Sequence, residues 1–149
     1  YGAVSLAEKF NAHDKISAQD LFKFYRFVLY KFRQLPWLLQ GTKLPLVLLG
    51  GANRTVARKE LMRLGRKDLE NIHGVSMSAY SFIETYTEWL GMDCKERADI
   101  LGPEAERADI IIAGLSPIMF LIEYLQTPEI IFSESGVREG VLYSMLKRK

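Results

Sequence analysis

The chain has 149 residues, 48% of them hydrophobic and 26% charged, with a formal net charge of +2. That length and balance fit one domain with its own core and exclude an intrinsically disordered polypeptide. The positive excess is too small to imply a nucleic-acid partner, which needs a clustered basic surface, and the single cysteine, Cys94, excludes an internal disulfide or a cysteine-rich metal site.

The opening "YGAVSL" reads as a strand, Tyr1–Leu6, already under way. No initiator methionine or secretory signal precedes it, so the chain is expected to be a piece of a longer polypeptide. "ISAQDLFKFYRFVLYKFRQL" predicts a long helix opened by the Ser17 and Asp20 capping pair and ended by Pro36. Leu21, Tyr25, Val28, Phe32 and Leu35 form its apolar stripe, and Lys23, Arg26, Tyr30 and Arg33 its solvated face. Leu44–Leu49, closed by two glycines, reads as a strand buried on both faces. A helix from about Asn53 to Leu64 follows, stopped by Gly65. "SMSAYSFIETYTEWLGM" predicts another, with Ile83, Tyr86 and Leu90 inward.

The pentapeptide Glu-Arg-Ala-Asp-Ile then occurs twice, at Glu96–Ile100 and Glu106–Ile110. A ten-residue period is too short for a solenoid repeat, which needs about twenty residues. The first copy is expected to end a short helix, Asp93–Leu101, broken by Gly102. The second should open a long buried helix from Pro103, with Ile111, Leu115, Ile118, Ile122 and Leu125 inward and a kink at Pro117. The apolar run Ile110–Ile122 is too short to span a bilayer, which takes about twenty residues. No membrane association is expected, and a reducing, cytoplasmic setting fits best. Glu129–Ser135 reads as a third strand, and "GVREGVLYSMLKRK" as a final helix from Gly136. Strands separated by helices give an α/β fold with a partly parallel sheet.

Two stretches could carry chemistry. In "LLGGANRT", a strand runs through Gly50 and Gly51 into a helix N-terminus, where free amides favour an anion and Arg54 adds a charged fork. A plain tight turn explains the same residues, since neither a P-loop nor a G-x-G-x-x-G spacing is present. In "SESGVREG", Arg138 could pair with a carboxylate or face a phosphate, and Glu139 is spaced to cap the helix that begins at Gly136. His13, His73 and Cys94 stand in no metal-ligand or nucleophile pattern.

Together these segments resemble the exopolyphosphatase/guanosine pentaphosphate phosphatase (Ppx/GppA) family. "PEAERADIIIAG" is similar to that family's "PERADIIxAG", "SESGVREGVL" to "SxxGLREGLL", "YGAVSLAEKF" to "PLGAVRLTERF" and "GGANRTVA" to "GGTIRALA". The matches keep the family's order and cover essentially the whole chain. Leu48 stands where the family has its first glycine, and Ala52 where it has threonine.

The resemblance implies an α/β, ribonuclease-H-like lobe of the actin-like ATPase and sugar-kinase superfamily. Residues 1–149 would be the C-terminal part of the phosphatase domain, a second lobe truncated to about three strands and five or six helices. The implied activity of the parent protein is release of terminal phosphate from inorganic polyphosphate or guanosine pentaphosphate, with Mg²⁺ assisting attack by water. The family's "DxGGGS" loop and its catalytic glutamate lie outside this chain, so no catalytic or metal-binding residue is expected within it, and the chain alone should be inactive. The alternative is a silent paralogue that binds or regulates. Gly50, Gly51, Arg54, Arg138 and Glu139 are the expected substrate-binding residues, at one cleft edge beyond the ends of two parallel strands. By the ribonuclease-H strand order, Tyr1–Leu6 is the third strand, Leu44–Leu49 the fourth and Ile130–Phe132 the fifth. The missing first lobe is the expected partner. The bared edge of Leu44–Leu49 leaves three expectations: Tyr1–Leu6 disordered or displaced, strand pairing with another chain as in a homodimer, or further residues upstream of Tyr1.

Overall fold

The computed structural model describes residues 1–147. Arg148 and Lys149, read from the sequence as the end of the final helix, lie outside the described residues. The elements run α1 (Ala3–Lys9), α2 (Ala18–Arg33), β1 (Leu46–Leu48), α3 (Gly51–Arg63), β2 (Ser76–Ser78), α4 (Ala79–Gly91), α5 (Cys94–Leu101), α6 (Ile111–Leu125), β3 (Glu129–Phe132) and α7 (Val137–Leu146). Two 3-10 segments, Pro36–Gly41 and Gly102–Arg107, complete the path.

The sheet order is β1-β3-β2. β1 runs parallel to β3, with Leu46 opposite Ile130 and Leu48 opposite Phe132, as the sequence reading expected of these two strands. β2 pairs antiparallel to β3, with Met77 opposite Ile130. A strand at Ser76–Ser78 was not expected: its three residues merge into the pattern of α4, and Ser78 serves as that helix's N-cap by accepting from the Ser81 amide. Nor is β1 buried on both faces. Leu48 is buried, but Leu44, Val47 and Leu49 are exposed, and among the described residues only β3 pairs with this strand.

Tyr1–Leu6 is not a strand. Leu6, Ala7 and Phe10 bury one side of α1, and with Ala3 they recur at helical spacing, a period visible only when the window runs past Leu6. Ser5 Oγ accepts from the Gly2 amide (3.2 Å), which helps to start the helix. The element assigned to the third strand therefore lies as a helix against α6.

α6 is the central element. Ile111, Ile112, Leu115 and Ile122 join the core formed with the sheet, α3 and α4. Ala113 and Phe120 join a second core with α1 and α2. There Phe24 stacks on Phe10 (centroids 4.4 Å apart) and meets Phe120 edge-on (5.6 Å). These contacts turn the buried side of α2 towards Phe24 and Val28, while Leu35, placed in the stripe from sequence, is exposed. In α4 the buried side is likewise set by Phe82, Tyr86 and Trp89, with Ile83 and Leu90 half-buried. α6 is continuous through Pro117.

The two pentapeptides adopt different structures, though not quite as expected. Asp93 and Glu96 cap α5 reciprocally, each side chain accepting from the other's amide at 2.8 Å. Gly102 ends the helix at φ +52°, in the left-handed region that favours glycine. The second copy does not open the long helix: Gly102–Arg107 is a 3-10 segment, and α6 starts at Ile111 after a bend of 94°. No single helix among the described residues is long and apolar enough to cross a membrane.

Gly114 marks the closest approach of three helices. A Cβ there would lie 3.2 Å from the Ala52 Cβ of α3 and 3.5 Å from the Ala3 Cβ of α1. Both neighbours are fixed directly to helical backbone. Gly114→Val is therefore expected to destabilise the chain by about 1–3 kcal/mol through overpacking, measured as a lowered urea midpoint. An unchanged midpoint would contradict this packing.

Candidate functional site

Gly50 leaves β1 with φ +100°, a conformation that side chains rarely adopt, and turns the chain into α3. The first intrahelical bond runs from the Arg54 amide to the Gly50 carbonyl (3.1 Å), so the amides of Gly51, Ala52 and Asn53 precede the helical ladder. Asn53 is only 7% exposed; its Nδ2 donates to the Leu49 carbonyl (2.6 Å), while its Oδ1 is buried without a partner. Arg54 is exposed on the first turn of the helix.

The residue that closes on this turn is Arg107, the arginine of the second pentapeptide. A Cβ built on Gly51 would fall 2.5 Å from its Nη1 and 2.9 Å from its Cζ. Glycine at position 51 is thus what admits the guanidinium to the turn. Arg107, Gly50, Gly51, Asn53 and Gly114 line a hollow of about 360 Å³. Among the described residues no carboxylate pairs with Arg107 and no hydrogen bond occupies it. A half-buried, unpaired guanidinium beside free helix N-terminal amides suits an anion with several oxygens. The sequence reading quoted Arg107 within its motif without assigning it to the site. The signal available was the second copy of the pentapeptide, but nothing in its letters ties that arginine to a turn more than fifty residues earlier.

Arg97, the matching arginine of the first copy, does different work. It is 1% exposed and donates to the carbonyls of Ala108 (2.8 Å), Met92 (2.6 Å), His13 (3.0 Å) and Asp14 (3.3 Å). It ties α5, the loop before α2 and the segment before α6 together. Arg107 depends on that segment for its position.

The turn after β3 leaves the same end of the sheet, because the two strands are parallel and the Ser133 amide donates to the Leu48 carbonyl (3.0 Å). Arg138 is exposed on the first turn of α7. Glu139 turns back on its own helix, where Oε2 accepts from the Gly136 amide at 2.6 Å. That bond, with a second from its own amide, holds its carboxyl below the usual glutamate value. A lowered folded-state pKa gives stability present above the ordinary value of 4.5 and lost as pH falls through the folded value. The protection of the Gly136 amide, its exchange measured against that of an unstructured peptide at the same pH, should therefore fall as pH drops below about 4.5, and Glu139→Gln should remove that change in protection. An unchanged profile in the variant would contradict the cap. No group of three His, Cys, Asp or Glu side chains stands together among the described residues.

The sequence model of the Ppx/GppA phosphatase family matches residues 1–149. No curated protein sequence matches the chain. Among solved structures, a Ppx/GppA family member from Aquifex aeolicus shares 25% identity at a TM-score of 0.79, covering 99% of this chain and 47% of the other. The type II variant of the Aquifex aeolicus Ppx/GppA phosphatase shares 26% at 0.77, over 96% of this chain and 46% of the other. An exopolyphosphatase from Cytophaga hutchinsonii shares the fold at 23% identity and a TM-score of 0.81, over 99% and 48%. The chain thus spans about half the length of these proteins, and its small mixed sheet and surrounding helices are those of their actin-like lobe. With the family's sequence pattern running through every segment that builds the glycine turn and its arginine, the chain belongs to the Ppx/GppA phosphatase family.

Proposed function

We propose that the Gly50–Gly51 turn and Arg107 form one wall of a cleft that holds a terminal phosphoanhydride, that of inorganic polyphosphate or of guanosine pentaphosphate, in a phosphohydrolase of which this chain is the second lobe. The observation that carries the reading is the unpaired Arg107 guanidinium set against Gly51 at the α3 N-terminus. Three backbone amides and a guanidinium that need no rearrangement would bind the terminal phosphate and stabilise the charge that builds on its oxygens during in-line attack. Arg54 and Arg138, exposed near the ends of the same two strands, would meet the more distal phosphates. Glu139 would contribute by fixing the start of α7.

The Mg²⁺ that the family resemblance implies finds no cluster of carboxylates or imidazoles among the described residues, so the chain does not fit as its holder. The general base for water would likewise come from the other lobe. The apolar side of α7, where Val141, Leu142, Met145 and Leu146 are exposed, and the open edge of β1 are the surfaces that lobe would cover.

A silent, substrate-binding member is the second reading, and Leu48 and Ala52 favour it. Leu48 packs in the core, and the Ala52 methyl lies where α3 meets Gly114, so both residues serve packing where the family's glycine and threonine would face the turn. Long-chain polyphosphate and guanosine pentaphosphate, each with Mg²⁺ or Mn²⁺, separate the two readings. Phosphate release by the longer protein supports the hydrolase. Binding without release supports the silent member. The 149-residue chain alone is expected to release none, and turnover by it would refute its assignment as one wall of the site.

A further inference from the structure

β2 enters the sheet at the end where β1 and β3 leave it, because it runs antiparallel to β3. The segment before β2 therefore reaches the same edge as the glycine turn, two strands away, about 10 Å across the sheet. Two bonds fix it there. The Gly74 amide donates to the Phe132 carbonyl (2.9 Å), and the Glu134 amide donates to His73 Nδ1 (3.4 Å). Between the end of α3 and β2 this segment borders an open hollow of about 550 Å³, which shares no lining residue with the hollow at Gly50 and Gly51.

Its lining is mostly polar and its charge is positive. Arg66 and Lys67 are exposed there, and neither has an ion-pair partner among the described residues. Asp68 is the one carboxylate in the lining, and its Oδ1 already accepts from the amides of Glu70 (3.0 Å) and Asn71 (3.4 Å). With Nδ1 accepting, neutral His73 keeps Nε2 as a donor, and Asn71 and Ser76 add donors of their own. Two unpaired cations, neutral donors around them and one partly engaged carboxylate suit an oxyanion.

We propose that this hollow is a second phosphate subsite, which takes phosphates of the bound chain several units behind the terminal one. Arg138, on the helix that follows the middle strand, stands between the two subsites in the order of the sheet. The continuity rests on the glycine turn holding the terminal phosphate; the affinity of the hollow for phosphate does not. A short oligophosphate fills either subsite singly. A long chain bridges both and gains from the high local concentration of its own second segment.

The test titrates the ¹⁵N-labelled chain with tripolyphosphate and with long-chain polyphosphate. The long chain is expected to move the amides of Arg66, Lys67, His73 and Gly74 together with those of Gly51, Ala52 and Asn53. Arg66→Gln with Lys67→Gln should weaken long-chain polyphosphate about 5- to 30-fold. The same pair should leave the tripolyphosphate shifts at Gly51, Ala52 and Asn53 as they are in the parent. Arg26→Gln with Arg33→Gln takes the same charge from the exposed side of α2 and should stay within about twofold of the parent. Amides at Arg66, Lys67, His73 and Gly74 that ignore the long chain, full affinity in the Arg66 and Lys67 variant, or an equal loss in the α2 variant would each overturn the proposal. Shifts at the hollow with none at Gly51, Ala52 and Asn53 would support the subsite and count against the glycine turn alone.

Discussion

Arg97→Ala is expected to destabilise the chain by roughly 3–5 kcal/mol, a large share of the stability of an ordinary domain. Four carbonyls converge on this one buried guanidinium, that of Ala108 in a fully buried bond and those of Met92, His13 and Asp14 in part-buried ones. Alanine would leave the Ala108 carbonyl buried without its donor, take the same donor from the Met92, His13 and Asp14 carbonyls, and open a void among α5, the loop before α2 and the segment before α6. Lysine is expected to recover only part of the loss, because one ammonium cannot reproduce the fork that reaches carbonyls in three segments. Urea unfolding measures both variants. A loss below about 1 kcal/mol for alanine would show that these bonds contribute little.

Arg107→Gln should behave in the opposite way, changing binding and leaving stability alone. The guanidinium spends none of its donors on the protein among the described residues, so glutamine leaves no acceptor stranded. A charged hydrogen bond to phosphate is worth about 1.5–3 kcal/mol, so affinity for tripolyphosphate should fall roughly 10- to 100-fold. Gly51→Ala provides an independent test. Its Cβ would collide with the Arg107 guanidinium, the free end of a flexible side chain, which can swing away at little cost to folding. The alanine variant should therefore fold as well as the parent and bind more weakly. Equal affinity in both variants would remove Arg107 from the site.

Helices with explicit end signals were the legible part of this fold. Ser17, Asp93, Gly65 and Gly136 each fix a helix end through bonds to atoms a few residues away. Apolar faces were less legible, because Phe10 and Phe120, remote in sequence, decide which side of α2 is buried. Tyr1–Leu6 misled for a local reason: six residues can show apolar content without showing its period. β2 misled for another, since three residues carry no strand signal apart from the partner they meet. At the site, Gly50, Gly51 and Arg54 stood on an unbroken stretch of sequence and could be picked out together. Arg107 could not, because more than fifty residues separate it from the turn it completes.

The central claim, that Arg107 and the glycine turn hold phosphate, is tested most directly by titrating the ¹⁵N-labelled chain with tripolyphosphate at low salt while following individual amides. The account predicts saturable shifts at Gly51, Ala52 and Asn53, weakened by added salt and lost at the same concentrations in Arg107→Gln. Amides that stay still at this turn, or that move alike in the parent and in Arg107→Gln, would contradict it.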